Sequence, residues 1–374
     1  MSDYIASVWK KMLKNNNIKY FFRKEKKRLY LFIQREKRFL RKKRMTIYPT
    51  TIQFPITYLC NFDCVMCGMR KLIHEKDMSL VNLEIVMKDP IFQRVTNVGI
   101  NGGEPFLKGD LVEAISVMIE NLPLLKSFYF ITNGYLTEEI LEKLSRIKSL
   151  CEEKNIKIYL SISVDGYGDM QDFHRGHQDA FLHAEETLKA ILDSKQSYVD
   201  GLDIICTITK YNIERINEVE VWAEHLGVDV AYNIATVNAR IANEDKDFSV
   251  FSDEHARMLA EEFFYTKYRE TKNEKYYAIY YLLKTKERVA DCPCMWNEWL
   301  TLLPDGQIGF CATHSKILGS LLEKSGEQIV RQELKYHKEM KKKYCKNCSH
   351  YSYTLNKKGL KSMHEDFLTC NYLR

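Results

Sequence analysis

The run Thr51-Ile52-Gln53-Phe54-Pro55-Ile56-Thr57-Tyr58-Leu59-Cys60-Asn61-Phe62-Asp63-Cys64-Val65-Met66-Cys67 passes from an apolar, β-branched stretch straight into a loop with three cysteines. A strand that delivers a chemically equipped loop at its C-terminal end is the building unit of parallel α/β sheets. Outward from it, segments 95–100, 126–131, 156–164, 202–208 and 228–234 are also rich in β-branched and aromatic residues. Between them, 80–93, 110–121, 137–153, 180–195 and 212–226 carry helical periodicity. Gly227 stands where a C′ glycine ends a helix, and Thr137 followed by Glu138 and Glu139 fits a helix start. The alternation predicts an α/β fold, a partial (β/α)6 barrel over residues 50–240, with its chemistry at the C-terminal strand ends. Residues 1–45 read as a basic amphipathic helical extension. Residues 241–290 read as a helical linker region bearing Tyr276, Tyr277, Tyr280 and Tyr281, and 291–374, which is short and carries Cys292, Cys294, Cys311, Cys345, Cys348 and Cys370, as a small C-terminal domain supported by an iron–sulfur cluster.

Cys60, Cys64 and Cys67 are spaced by three and then two residues. Three thiolates in so short a loop can wrap one corner of a four-iron cluster, and cluster iron prefers thiolate ligands. One iron is then left without a protein ligand, and an open coordination position is what a reactive metal centre needs. The bland alternatives are a zinc loop or three unrelated core cysteines. The spacing resembles the signature of the radical S-adenosylmethionine superfamily. That resemblance implies a [4Fe-4S] cluster whose open iron chelates S-adenosylmethionine, reductive cleavage to a 5′-deoxyadenosyl radical, and hydrogen-atom abstraction from a substrate carbon.

Further segments extend the resemblance over about residues 50–350. Asn101-Gly102-Gly103-Glu104-Pro105 is similar to the family's segment for the methionine amino group, which implies roles for Gly102, Gly103 and Glu104. Glycines admit close backbone approach, and a carboxylate accepts charge-assisted bonds from an ammonium. Ser161-Ile162-Ser163-Val164-Asp165 resembles the ribose-binding strand. Ser161, Ser163 and Asp165 share a face there, with Ser163 the first choice and Asp165 the next. Arg175, in His174-Arg175-Gly176, matches a place where relatives carry an arginine near the methionine carboxylate, although Arg before Gly also suits a surface turn. Asn133 is a further candidate for the same pocket.

The C-terminal segment holds six of the eleven cysteines. Cys294, Gly306 and Cys311, the pair Cys345 and Cys348, and Leu318-Gly319-Ser320-Leu321 between them resemble the SPASM/twitch extensions that bind auxiliary clusters. The shorter twitch form, with one auxiliary [4Fe-4S] cluster on Cys294, Cys311, Cys345 and Cys348, is the better match. Cys292 competes with Cys294 as ligand, Cys370 is an optional further one, and four thiolates also suit zinc. If the auxiliary cluster takes an electron from the substrate radical, the result is dehydrogenation. If Cys206 or Cys370 returns a hydrogen, the result is epimerisation, although both also read as packing residues. Tyr232, Asn233, Thr236, Asn238 and Arg240 are polar candidates near a substrate. A carbohydrate-like small molecule is the expected substrate. A peptide or protein is the alternative, and a non-catalytic zinc-binding interaction protein is the reading from another class. The reductant would be a flavodoxin or ferredoxin.

With 374 residues and 45% apolar content, the chain can fill a large core without staples. Its odd cysteine count argues against a disulfide framework. Residues 1–45 carry sixteen Lys and Arg against Asp3, Glu25 and Glu36, so the overall +6 conceals a remainder near −7. Ile5, Val8, Trp9, Met12 and Leu13 fall at helical spacing there. The extension suits an anionic membrane surface, or packing on the main domain with its charges solvated. Nucleic acid is not expected, for want of a reading module. Residues 1–14 lack a secretory apolar core and no stretch is long enough to span a membrane, so the expected place is the cytoplasm, peripherally at the membrane.

Overall fold

A computed structural model describes residues 45–73, 76–350 and 354–371. The expected basic helix of the N-terminal extension and the side chain of Cys370 lie outside the described residues.

Six strands follow one another in parallel: β1 (Thr51–Thr57), β2 (Asn97–Gly102), β3 (Ser127–Thr132), β4 (Lys157–Ser163), β5 (Gly201–Ile208) and β6 (Val230–Ile234). The helices between them are α1 (Leu80–Met87), α2 (Leu111–Asn121), α3 (Thr137–Glu153), α4 (Asp169–Arg175), α5 (Ala180–Asp193), the short α6 (Lys195–Tyr198) and α7 (Ile216–Leu226). This is the expected mixed α/β fold, an open partial barrel with a largely parallel sheet. The segment 80–93 is shorter than its periodicity predicts. α1 stops at Met87, and Asp89 caps a 3-10 turn at Pro90–Phe92 through a 2.8 Å bond from Ile91 N–H. Pro90 lacks an N–H and holds Asp89 at ψ 130°, so the helix cannot run on. Gly227 does end α7, at φ 69°.

Period-two alternation assigns the faces. In β5, Leu202, Ile204, Cys206 and Ile208 are buried on the helix side, while Asp203, Ile205 and Thr207 face the barrel interior. In β4, Ile158, Leu160 and Ile162 pack outward with at most 1% exposure, and Tyr159 faces inward, stacked on Tyr129 of β3 at 4.8 Å. One hydrophobic cluster fills the layer between β1–β5 and helices α1–α3, α5 and α7.

Residues 241–290 form a helical hairpin, α8 (Glu254–Thr271) and α9 (Glu274–Thr285), packed onto the outer face of β5 and β6. Phe263, Phe264, Tyr276 and Tyr277 join Cys206, Ile208 and Tyr232 there, and Tyr232 meets Phe263 edge-on at 4.9 Å. Each such ring taken fully from water contributes roughly 1.5–3 kcal/mol.

The C-terminal segment builds onto the barrel's sheet. After β7 (Ala290–Asp291), β8 (Trp299–Leu302) pairs parallel to β1, while β9 (Gln307–Gly309) and β10 (Gly319–Ser320) continue antiparallel. The sheet therefore has nine strands, in the order β10-β9-β8-β1-β2-β3-β4-β5-β6. Helices α10 (Gly326–Gln332) and α11 (Leu334–Tyr344) follow, then β11 (Thr354–Leu355), paired to β7, and α12 (Lys357–Asn371). Among the described residues no helix is long and apolar enough to cross a membrane.

Candidate functional site

The loop after β1 is held from several directions. Cys67 N–H donates to Cys64 O, Val65 N–H to His174 O and Gly68 N–H to Ile241 O, at 3.1, 3.0 and 2.8 Å. Lys246 Nζ reaches Cys64 O at 2.9 Å, and Asn243 Nδ2 reaches Met66 O at 2.8 Å. These holds gather Cys60, Cys64 and Cys67 on one side of a cavity of about 310 Å³ at the C-terminal strand ends. Burial pushes the Cys60 thiol up to about 12 and Cys64 to about 11, and Cys67 is raised as well. Cys64 and Cys67 add to the rise at Cys60, whereas Arg175 and Lys246 act against it at Cys67.

Three neighbouring thiols, Cys64 buried and Cys60 and Cys67 half-buried, need a positive centre before they can ionise together, and a metal cluster supplies one. Among the described residues no three His, Cys, Asp or Glu side chains converge on a point suited to a single metal ion. A cluster makes a different demand, since each of its thiolates sits on a different iron. Three thiolates spread along one loop can meet that demand.

The remaining residues singled out from sequence fall into three groups. Gly102, Gly103, Asn133, Ser163, Arg175 and Asn233 line the cavity. Gly103 is required by a close approach, because a Cβ there would lie 1.9 Å from Leu59 O. Asn133 Nδ2 donates to Asn61 Oδ1 at 2.7 Å. Arg175 places Nη1 4.0 Å from Cys64 Sγ and Nη2 2.7 Å from Asp165 Oδ2, and its Nε has no hydrogen-bond partner.

Glu104 and Asp165 stand behind the wall and do not line it. Glu104 is 1% exposed and accepts from Thr132 Oγ1, Asn133 N–H and Phe106 N–H at 2.8, 2.7 and 3.1 Å. Burial pushes its carboxyl up to about 7 despite those donors. Asp165, fully buried, is gripped by Arg175, by His174 Nδ1 at 2.9 Å and by Thr207 N–H at 2.7 Å. Burial alone would raise Asp165, but Arg175 and His174 outweigh it and hold the carboxyl below its ordinary value. His174, whose Nε2 meets Thr209 Oγ1 at 2.9 Å, is a supporting residue that sequence reading passed over.

The third group faces away. Cys206 and Tyr232 sit on the helix side of β5 and β6, within the aromatic cluster, and neither lines the cavity. Burial raises the Cys206 thiol well above its ordinary value.

The C-terminal thiols act electrostatically on one another. Cys294 feels Cys292, Cys311 and Cys348, and Cys345 feels Cys348, Cys311 and Cys292, so five thiols from three separate segments share one neighbourhood. Hydrogen bonding from Cys294 draws Cys292 down, with Arg288 adding to the effect, while Cys294 is pushed up. Burial sends Cys345 to about 12 and Cys348 to about 11. His337 Nε2 stands 2.9 Å from Cys294 O, and Arg288 Nη1 donates to Cys348 O and His350 O, both at 3.0 Å. Ser349 and His350, which follow Cys348, line the main cavity, and Ser349 Oγ meets Thr236 Oγ1 at 2.9 Å. The backbone that follows Cys348 is thus part of the cavity lining.

Residues 54–223 match the model of the Radical SAM superfamily. The chain is 25% identical over 219 residues to a probable GTP 3′,8-cyclase of Sulfolobus acidocaldarius, covering 55% of this chain and 67% of that protein. Its matches to other GTP 3′,8-cyclases span only 29–53% of their lengths. It is 23% identical over 317 residues to the mycofactocin maturase MftC of Mycolicibacterium smegmatis, covering 81% and 76% of the two chains. In fold it is similar to native anSMEcpe with bound AdoMet and Cp18Cys peptide, with a TM-score of 0.58 at 15% identity over 87% of this chain and all of that one.

Proposed function

We infer that this chain, whose residues 54–223 match the Radical SAM superfamily model, works as a member of that superfamily, and from that premise we propose that it oxidises an unactivated carbon of its substrate with S-adenosylmethionine as cosubstrate. The observation that carries the reading is the gathering of the Cys60, Cys64 and Cys67 thiols on one wall of the cavity at the C-terminal strand ends. When bound, a [4Fe-4S] cluster and S-adenosylmethionine supply one-electron cleavage to a 5′-deoxyadenosyl radical that takes a hydrogen atom from the substrate. The chain's own residues do the placing. Cys60, Cys64 and Cys67 hold the cluster, and Gly102 and Gly103 let the backbone approach the methionine moiety. Arg175 offers a guanidinium to its carboxylate, and Ser163 offers a hydroxyl to the ribose. Glu104 braces the ends of β2 and β3, and Asp165 fixes Arg175. Apolar lining from Phe62, Met66, Ile131 and Ile205 keeps water from the reacting atoms.

We assign an auxiliary cluster to the C-terminal thiols, with Cys311, Cys345 and Cys348 joined by Cys294 or Cys292. We favour dehydrogenation over epimerisation through Cys206, because Cys206 faces away from the cavity while Ser349 and His350, which follow Cys348, line it. The substrate would meet Asn233, Asn238, Thr236 and Ser349, a hydroxyl- and amide-rich rim suited to a carbohydrate-like molecule. Similarity to MftC over 76% of its length and the fold shared with a peptide-bound enzyme favour a second reading, a peptide substrate. A flavodoxin or ferredoxin would supply the electron.

Anaerobically reconstituted protein given dithionite and S-adenosylmethionine should release 5′-deoxyadenosine, and the triple Cys60→Ala, Cys64→Ala, Cys67→Ala variant should not. Silence from the iron-loaded parent, or zinc in place of iron and sulfide, overturns the reading. Deuterium passing into deoxyadenosine from labelled sugars or labelled peptides separates the two substrate classes.

A further inference from the structure

Arg240 lies in the turn after β6, its N–H donating to Asn238 Oδ1 at 3.0 Å. Its neighbours Asn238 and Ile241 line the cavity, and Ile241 O also accepts from Gly68, next to Cys67. Its guanidinium turns the other way. Nη2 donates to Ser315 O at 3.0 Å, and it passes β9 so closely that a Cβ on Gly309 would lie 2.1 Å away. Gly309 is two residues before Cys311, whose Sγ accepts from His314 N–H at 3.2 Å in the same turn. Burial works against the guanidinium's charge and lowers it, and negative charge on Cys311, Tyr58, Tyr336 or Cys294 would act in its favour.

Two of its nitrogens, Nε and Nη1, are buried without a hydrogen-bond partner. Idle donors of a cation buried at these atoms are unfavourable unless an anion faces them. A cluster carried on four thiolates is such an anion, and its potential depends on net charge and on hydrogen bonds to its sulfurs. Resting on the auxiliary-cluster reading above, we propose that Arg240 is the cation that sets the reduction potential of that cluster, with Nε and Nη1 as its free donors. It stabilises the reduced, more negative state. The residue that tunes the second thiol group is thereby anchored in the wall of the first.

The test uses the full chain in the Cys60→Ala, Cys64→Ala, Cys67→Ala background, reconstituted with iron and sulfide, so that any cluster left is the auxiliary one. Potentiometry followed by electron paramagnetic resonance then reads the reduced-to-oxidised ratio at a fixed potential. Arg240→Gln should lower that ratio at least tenfold, about 59 mV for a one-electron couple, and Arg240→Lys should recover at least half of the shift. A smaller change in the Gln variant, or a Lys variant that behaves like it, overturns the inference. Should the Gln variant fail to hold iron, the Lys variant decides. A ratio within tenfold of the parent supports the charge argument. A larger loss, or absent iron, assigns Arg240 only to holding the Cys311–Ser315 turn and overturns it. If the triple-Ala parent itself retains no iron, the auxiliary-cluster reading fails, and the inference with it.

Discussion

Asp165→Asn is the most discriminating single change to the fold around the site. Asp165 is fully buried, and Arg175, 8% exposed, stands 2.7 Å from it. Removing the carboxylate charge leaves the Arg175 guanidinium buried without compensation. Breaking one side of a buried pair destabilises by about 3–5 kcal/mol, whereas neutralising both sides costs far less than twice that. With a urea dependence of about 3 kcal/mol per molar, the upper end of the range for small proteins, the unfolding midpoint should fall by about 1–1.7 M. The assay is urea unfolding followed by tryptophan fluorescence on the cluster-free protein. Four chains are compared: parent, Asp165→Asn, Arg175→Gln and the double variant, the last expected well short of the summed loss. Glu287→Gln, which breaks an exposed pair with Lys358, should leave the midpoint unchanged. A midpoint within about 0.3 M of the parent for Asp165→Asn, or full additivity in the double variant, would refute the coupling between the two charges.

Gly103→Ala should push the Leu59–Cys60 backbone away from the end of β2, given the 1.9 Å separation from Leu59 O. Deoxyadenosine release after reconstitution should drop several-fold while the C-terminal thiols keep their iron, and near-parental release would count against the close-approach argument. Asp200 accepts from Lys148 at 3.0 Å and Lys157 at 3.1 Å. Burial works to raise its carboxyl, but the Ile158 N–H and the two lysines prevail and lower it. Its contribution to stability is therefore present above the unfolded value near ~3.9 and fades as pH falls through the lower folded value. The gap in urea midpoint between parent and Asp200→Asn should be largest near neutrality and close in acid, and a gap that widens in acid reverses the sign. Cys206→Ala should lower the unfolding midpoint yet keep deoxyadenosine release within about twofold, because the side chain packs among aromatic rings outside the cavity. Abolished release would return Cys206 to the reaction.

Local pattern made much of this legible. The β-branched run over Thr51–Thr57 and the helix over Thr137–Glu153 keep their sequence-derived limits, because alternation and first-turn carboxylates are local signals. The cysteine spacing and Gly102-Gly103 were legible for the same reason. The facing of Cys206 was readable too: Leu202, Ile204 and Ile208 mark one side of β5 and Asp203 and Thr207 the other. What stayed hidden is non-local. Nothing near Cys64 announces that Lys246, 182 positions along, will reach its carbonyl. Nor does local pattern lay the Arg240 guanidinium against Gly309 and the Ser315 carbonyl.

The register of β8 against β1, Thr51 beside Trp299 and Gln53 beside Thr301, has a practical meaning for anyone cutting this gene product into pieces. A fragment ending near residue 290 would leave the outer margin of β1 with bare amides and carbonyls, a template for strand-to-strand association between molecules. Such fragments should precipitate for a reason unrelated to iron, so their insolubility says nothing about whether the first thiol loop can load its cluster alone.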